Sequence, residues 1–265
     1  MIRLKKEQLD RIKEYESVLH DSTCFTVIQG LGGGAFVDSV EKPESLVMVY
    51  GDFSFYFGEL PDGEIEKQLN NMFSECDKTW SIMVPESPKW LNFFKESGTF
   101  YESCRYRLKK RTEPFDRRRL QEYVRGLSKD YELTAIDEKW FEELKKDPWG
   151  KDLCTDGLTG KEFAEHALGF LVLRDGKPVA GISSYAFYDK GLEIEIDTKK
   201  AYRKKGLATV LGAKFILECT ERGLYPNWDA ANLISVKLAE KLGYEFDREY
   251  PVYSNRKLYQ MKLGE

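Results

Sequence analysis

Apolar positions along the first twenty residues (Leu4, Leu9, Ile12, Val18 and Leu19) recur at a spacing that lines one face of a helix. "CFTVIQ", "SLVMVYG" and "FSFYFGEL" follow as runs of β-branched and aromatic residues and are expected to be strands. The pattern then changes period. "PDGEIEKQLNNMFSECDK" predicts a helix opened by Pro61-Asp62, "TWSIMVP" a strand, "SPKWLNFFKES" a helix and "FYESCRYRLKK" a further strand. "RTEPFDRRRLQEYVRGLSKD" is charged and poor in large apolar residues, which places a domain boundary within it. The two expected domains are 1–128 and 129–265.

The second half has a clearer grammar. "YELTAID" predicts a strand and "EKWFEELKKD" a helix. "GFLVLRDGKPVAGISSYAFYDKGLEIEIDT" predicts a three-stranded meander, with Asp175-Gly176 as its first hairpin turn and Asp189 to Gly191 as its second. Leu207, Leu211 and Phe215, spaced four apart, mark a helix from about Lys204 to Arg222 that Gly223 stops. A short strand near "LYPNWD", a helix from Ala230 to Leu242 and a last strand "YEFDREYPVY" complete the chain. Asp229 is its expected N-cap and Gly243 its stop. This order is that of an α+β layered sheet.

Composition narrows the classes. With 265 residues, 32% charged and 42% hydrophobic, the chain reads as globular, and aromatics at 14% supply much of its core. The start has no apolar leader and no run is long enough to span a bilayer, so a cytoplasmic protein without membrane contact is expected. Five scattered cysteines never form a C-x-x-C pair, which suggests reduced thiols. His20 and His166 stand far apart, so no metal centre is expected. A formal net charge of -4 argues against a nucleic-acid partner.

Against that acidic background, "DTKKAYRKKGLATV" places Lys199, Lys200, Arg203, Lys204 and Lys205 within seven residues. They sit where a strand turns into a helix. The first turn of a helix leaves N–H groups unpaired and carries partial positive charge. Gly206 removes a side chain where an anion approaches and Ala208 keeps the next turn slim, so the segment suits a pyrophosphate. Basic residues there would oppose the dipole without structural gain. "GLGGGA" (Gly30 to Ala35) fits a dinucleotide fingerprint in letters, but "FVDSVEKP" after it is not helical, and a tight loop is the better reading.

Arg203-Lys204-Lys205-Gly206-Leu207-Ala208 resembles the R/Q-x-x-G-x-G/A acyl-CoA signature of the GNAT N-acetyltransferase superfamily. "NWDAANLISVKLAEKLGYEF", with Asn232, Ser235, Leu238, Leu242, Gly243 and Tyr244 in register, resembles the family's downstream segment. The match covers roughly residues 129–255. It implies a mixed, mostly antiparallel GNAT-like sheet flanked by helices, preceded by a smaller α/β domain for which a degenerate copy of the same fold is one reading. The layout and "PNWDAANLIS" also resemble a two-domain bacterial GNAT branch that includes zwittermicin A resistance proteins. The resemblance implies acetyl-CoA as cofactor, with CoA as product. Its pyrophosphate would meet the backbone of Arg203, Lys204, Lys205, Gly206, Leu207, Ala208 and Thr209. Its pantetheine arm would pair with the strand edge at Ile196, Asp197 and Thr198, beside Asn232 and Ser235.

Acetyl transfer to an amine needs a base. Alternation in "LEIEIDT" puts Glu193, Glu195 and Asp197 on one face, and Glu195 or Glu193 is the candidate. Where the family commonly has a tyrosine that protonates the thiolate, this chain has Ala239. Tyr244, Tyr250 and Tyr253 are near in sequence, as are Trp228 and Asp229. The expected function is transfer of an acetyl group from CoA to a primary amine of a small molecule. The alternative is a non-catalytic acyl-CoA-binding or sensing module. The acceptor, the acyl length and a homodimer stay open.

Overall fold

The computed structural model describes residues 1–256. The described residues divide into two compact units, one formed by Met1–Arg105 with residues 249–256, the other by Tyr106–Arg248. The expected division at 128/129 therefore falls inside the second unit. The charged segment between the two halves contains a helix, and that helix packs on the second unit's core.

In the first unit, β1 (Ile2–Arg3) pairs antiparallel with β2 (Gly34–Val37). Between them lie a 3-10 helix, Lys6–Val18, and α1, Ser22–Ile28. The "CFTVIQ" run expected as a strand is thus helical. Asp21 caps it by accepting from the Thr23 N–H at 2.9 Å, and six of the helix's seven residues are buried, so packing overrides β propensity. β3 (Ser45–Tyr50) and β4 (Phe53–Gly58) extend β2 into an antiparallel meander. α2 (Ile65–Glu75) then crosses to β5 (Ile82–Pro85), parallel to β4, before α3 (Pro88–Glu96). Tyr56, Trp90 and Phe94 centre the core; the Tyr56 and Trp90 rings lie 4.8 Å apart. β6, Tyr101–Lys109, leads out of this unit into the second.

The second unit opens with α4, Arg117–Arg125, whose Leu120 is buried and whose Tyr123 and Val124 pack against the core. β7 (Glu132–Ala135), α5 (Glu138–Leu144), a 3-10 turn at Gly150–Leu153 and α6 (Gly160–His166) follow. The meander is β8 (Gly169–Arg174), β9 (Lys177–Tyr188) and β10 (Gly191–Thr198). Its first turn is made by Asp175 (φ +52°) and Gly176 (φ +72°), both left-handed as a type I′ turn demands. α7 (Leu207–Glu221) crosses to β11 (Tyr225–Asn227), giving the sheet order β11-β10-β9-β8-β7. β12 (Asp229–Ala230), α8 (Leu233–Leu242) and β13 (Glu245–Ser254) follow, and β13 leads back into the first unit, where its end pairs with β5.

One core gathers Leu120, Leu192, Ile194, Leu211, Phe215, Ile216, Val236 and Leu242 from α4, β10, α7 and α8. A second gathers Phe141 and Leu144 of α5, Leu153 of the 3-10 turn, Phe163 of α6 and Leu171 of β8. α7 is apolar nearly all round because it is enclosed nearly all round. Its Gly212 has no room for a side chain: a Cβ there would stand 2.5 Å from Leu242 Cδ1, so this glycine lets α8 close on α7.

Candidate active site

β10 and β11 run parallel for only three residue pairs, Gly191–Tyr225, Leu192–Pro226 and Glu193–Asn227. β10 continues to Thr198 paired with β9, while the chain beyond Asn227 turns away to form β12 and pairs with β6 through Asp229–Arg107 and Ala230–Tyr106. The two strands therefore split at Glu193 and Asn227. Asn227 fixes the start of the split: its amide donates to Tyr188 Oη (3.2 Å), Leu192 O (3.1 Å) and Tyr225 O (3.3 Å). Glu193 fixes the diverging strand, its Oε1 accepting the Asp229 N–H at 3.0 Å. At the same level β9 carries an extra residue, Tyr185, because Glu193 pairs with Ala186 and Ile194 with Ser184. The Thr155 hydroxyl donates to Ser184 O and pins this bulge.

Alternation on β10 holds. Leu192 and Ile194 are in the core and Ile196 packs against it, so Glu193, Glu195 and Asp197 share the opposite face. Their surroundings differ. Glu193 is 7% exposed, whereas Glu195 is half-buried and lies across from Ser183 in register. Asp197 Oδ2 accepts from the Trp149 indole N–H at 2.6 Å and Oδ1 lies 3.6 Å from Arg203. Trp149 is a contact the sequence pattern did not signal. Its partner is 48 residues away, and only the "KDPWG" turn marks it locally. Lys199 lies 4.6 Å from the centroid of the same indole and 3.5 Å from Asp147.

The strand ends at a turn with two left-handed residues, Lys204 (φ +62°) and Gly206 (φ +81°). Gly206 is the N-cap of α7, and its carbonyl accepts from the N–H groups of Thr209 and Val210. A Cβ at Gly206 would meet nothing within 4 Å, so it is the backbone angle that favours glycine there. Among the described residues, the N–H groups of Lys204, Lys205, Gly206, Leu207 and Ala208 have no acceptor. Arg203 is braced by donating from Nε to Thr198 O at 3.0 Å. Thr198 Oγ1 is buried and meets no hydrogen-bond partner among the described residues.

On the far side of the split, Asn232 and not Asp229 is the N-cap of α8: its Oδ1 accepts from the Ser235 N–H at 3.0 Å. Asp229 instead belongs to β12, and that pairing removes it from the helix start. Ser235 Oγ accepts from the Trp228 indole at 3.0 Å.

This arrangement of split strands and a glycine-capped helix belongs to a known family. A GNAT acetyltransferase family model matches residues 14–253. The chain belongs to the GNAT acetyltransferase family. It is 26% identical over 269 residues to the uncharacterized N-acetyltransferase YdfB of Bacillus subtilis, across 91% of this chain and 95% of the relative. A GCN5-related N-acetyltransferase-like protein from Streptococcus suis, solved by crystallography, is 35% identical. It superposes with a TM-score of 0.82, covering 93% of this chain and 98% of that one. A GCN5-related N-acetyltransferase from Kribbella flavida shares the fold at a TM-score of 0.54 and 13% identity, over 80% of this chain and 86% of its own.

As a GNAT protein the chain is a transferase, and its departures from the pattern can be located. Ala239 is fully buried in the core, so no hydroxyl is available at that position. Tyr244 does not replace it: its hydroxyl donates to Pro226 O at 2.7 Å, and burial pushes its pKa well above the ordinary range. Tyr250 and Tyr253 lie in the first unit, where the Tyr253 hydroxyl donates to Glu102. His166 stacks on Phe187. Among the described residues no cluster of His, Cys, Asp and Glu could hold a metal ion, and no helix is long and apolar enough to cross a membrane.

Proposed function

We propose that this chain is an acetyl-CoA-dependent N-acetyltransferase whose reaction takes place in the second unit, on a primary amine. The observation that carries this reading is the run of five N–H groups without acceptors around Gly206, continuous with the half-paired strand β10. Such a run disperses the negative charge of a pyrophosphate, and helix polarity adds to it. The orphan Thr198 hydroxyl supports the same fit, because an unpaired buried hydroxyl costs about 1–3 kcal/mol unless a ligand meets it. Acetyl-CoA supplies an activated thioester.

The chain's own residues then have separable tasks. Gly206 and its neighbours hold the phosphates, and the edge of β10 from Ile194 to Thr198 receives the amide-bearing arm as an added strand. Asn232 has its carbonyl oxygen committed to the helix cap and keeps its amide for a ligand acceptor. Glu195 takes the proton from the amine, and Glu193 braces the split through Asp229. With Ala239 in the core, water supplies a proton to the departing CoA thiolate. The first unit repeats the topology of the second without these features and is read as a copy that carries no cofactor.

A thermal-shift panel of acetyl-CoA, CoA, ATP and NAD tests the reading. Saturation at about 100 times the dissociation constant adds about 2.7 kcal/mol, which raises Tm by a few degrees. Stabilisation by CoA and acetyl-CoA alone is expected, followed by amine-dependent release of CoA. Equal response to all four, or none, overturns it.

A further inference from the structure

Beside the first turn of α7 lies a group of residues that the reaction itself does not use. Lys241, at the end of α8, donates from Nζ to Thr209 Oγ1 at 3.3 Å, and Thr209 is the third residue of α7. The same ammonium stands 5.2 Å from the centroid of the Tyr123 ring on α4. Arg119, one turn earlier on α4, donates from Nε to the Tyr123 hydroxyl at 2.9 Å and holds its guanidinium 5.7 Å from that ring. Two cations from different helices thus gather around one aromatic ring, one of them a single hydroxyl away from the helix turn of the cradle.

Neither cation meets a carboxylate among the described residues, although the chain is acidic overall. Other cations on α4 and along α7 are compensated: Arg117 of α4 pairs with Glu221, and Lys214 of α7 and Arg222 at its C-terminal end both pair with Glu218. Like charges around one ring repel, and the polarised ring offsets only part of that. A phosphate monoester, with a charge of about -1.5 to -2 at neutral pH, would satisfy both cations at once.

We infer that Arg119, Tyr123 and Lys241 form a subsite for the 3′-phosphate of CoA, separate from the backbone cradle for its pyrophosphate. This rests on the acetyl-CoA reading above. The chemistry of the ligand matches: its ribose carries a monoester one sugar away from the pyrophosphate, as Lys241 stands one side chain away from the cradle. Arg119 supplies the fork that suits a phosphate, Lys241 a point charge, and the Tyr123 ring holds both in place while the site is empty.

The test is calorimetric titration with CoA and with 3′-dephospho-CoA. The proteins are the wild type, Arg119→Met, Lys241→Met, the double variant, and Arg117→Met as a control on the same helix. The wild type is expected to prefer CoA by about tenfold, each single variant to cut that preference by about threefold, and the double variant to abolish it. Affinity for 3′-dephospho-CoA should stay at the wild-type value throughout, which also shows that the variants are folded. Arg117→Met should leave both affinities unchanged. If the wild type binds the two ligands equally, the subsite does not exist although the cradle does. If the variants lose affinity for both ligands alike, the cluster is a structural latch. If the wild type binds neither, the acetyl-CoA reading itself fails and takes the subsite with it.

Discussion

Glu193 and Glu195 stand two residues apart on the same face of β10, yet their environments differ. Glu193 is nearly enclosed and its carboxylate holds the Asp229 amide; Glu195 is only half-buried and sits past the point where β11 leaves. Alternation shows that both carboxylates share a face, but only the position of the split sets their surroundings apart, and with them the brace and base roles proposed above. Glu195→Gln is therefore expected to lower kcat by about a hundredfold or more with CoA affinity unchanged, as removal of a general base does. Glu193→Gln keeps an acceptor for the Asp229 amide and should cost far less. Steady-state kinetics with calorimetry on both variants checks this; unchanged turnover in Glu195→Gln removes it from the base role.

At the scale of elements, α8 offers a test of whether the Asn232 side chain combines its cap with the proposed ligand contact. Asn232 closes the helix through Oδ1, so Asn232→Ala should destabilise the protein by about 1 kcal/mol. Asn232→Asp keeps the cap and removes only the amide donor; it should leave denaturation midpoints in place and weaken CoA binding. Equal binding by Asn232→Asp and wild type would make the residue a cap alone. Asp229 and Asn232 are both good N-caps, and the choice between them is made by β12 pairing with β6, more than a hundred residues distant. The same is true of α1: its β-branched run reads as a strand until burial on several sides and the Asp21 cap make it a helix.

At the scale of the whole molecule, both units share one order: an antiparallel meander, a crossover helix, a strand parallel to the last of the meander, then another helix. The first unit has closed what the second leaves open. Past the β4–β5 pairing, the carbonyls of Phe57 and Gly58 accept from the Trp90 indole (3.2 Å) and the Ser87 hydroxyl (2.7 Å), both on the segment that starts α3. The approach to α2 is acidic, with Glu59, Asp62 and Glu64 where the second unit has Arg203, Lys204 and Lys205. Calorimetry should accordingly give one CoA per chain, and two sites of similar affinity would refute the assignment of the first unit as an empty copy.

The amino-acid sequence alone determined the α+β order of the second half, the glycine-capped basic turn and the family, because these depend on neighbours in sequence: hairpin residues, caps, periodicity and local charge. It also displayed both candidate carboxylates. Tertiary structure decided what depends on distant partners. The division of the chain moved because α4 buries Leu120 in a core formed a hundred residues later. The side chain of Asp197 accepts from Trp149, 48 residues away, and the Tyr244 hydroxyl is spent on Pro226. The grouping of Arg119, Tyr123, Lys241 and Thr209 exists only where three helices meet, since no local pattern encodes which side chains long-range packing brings together.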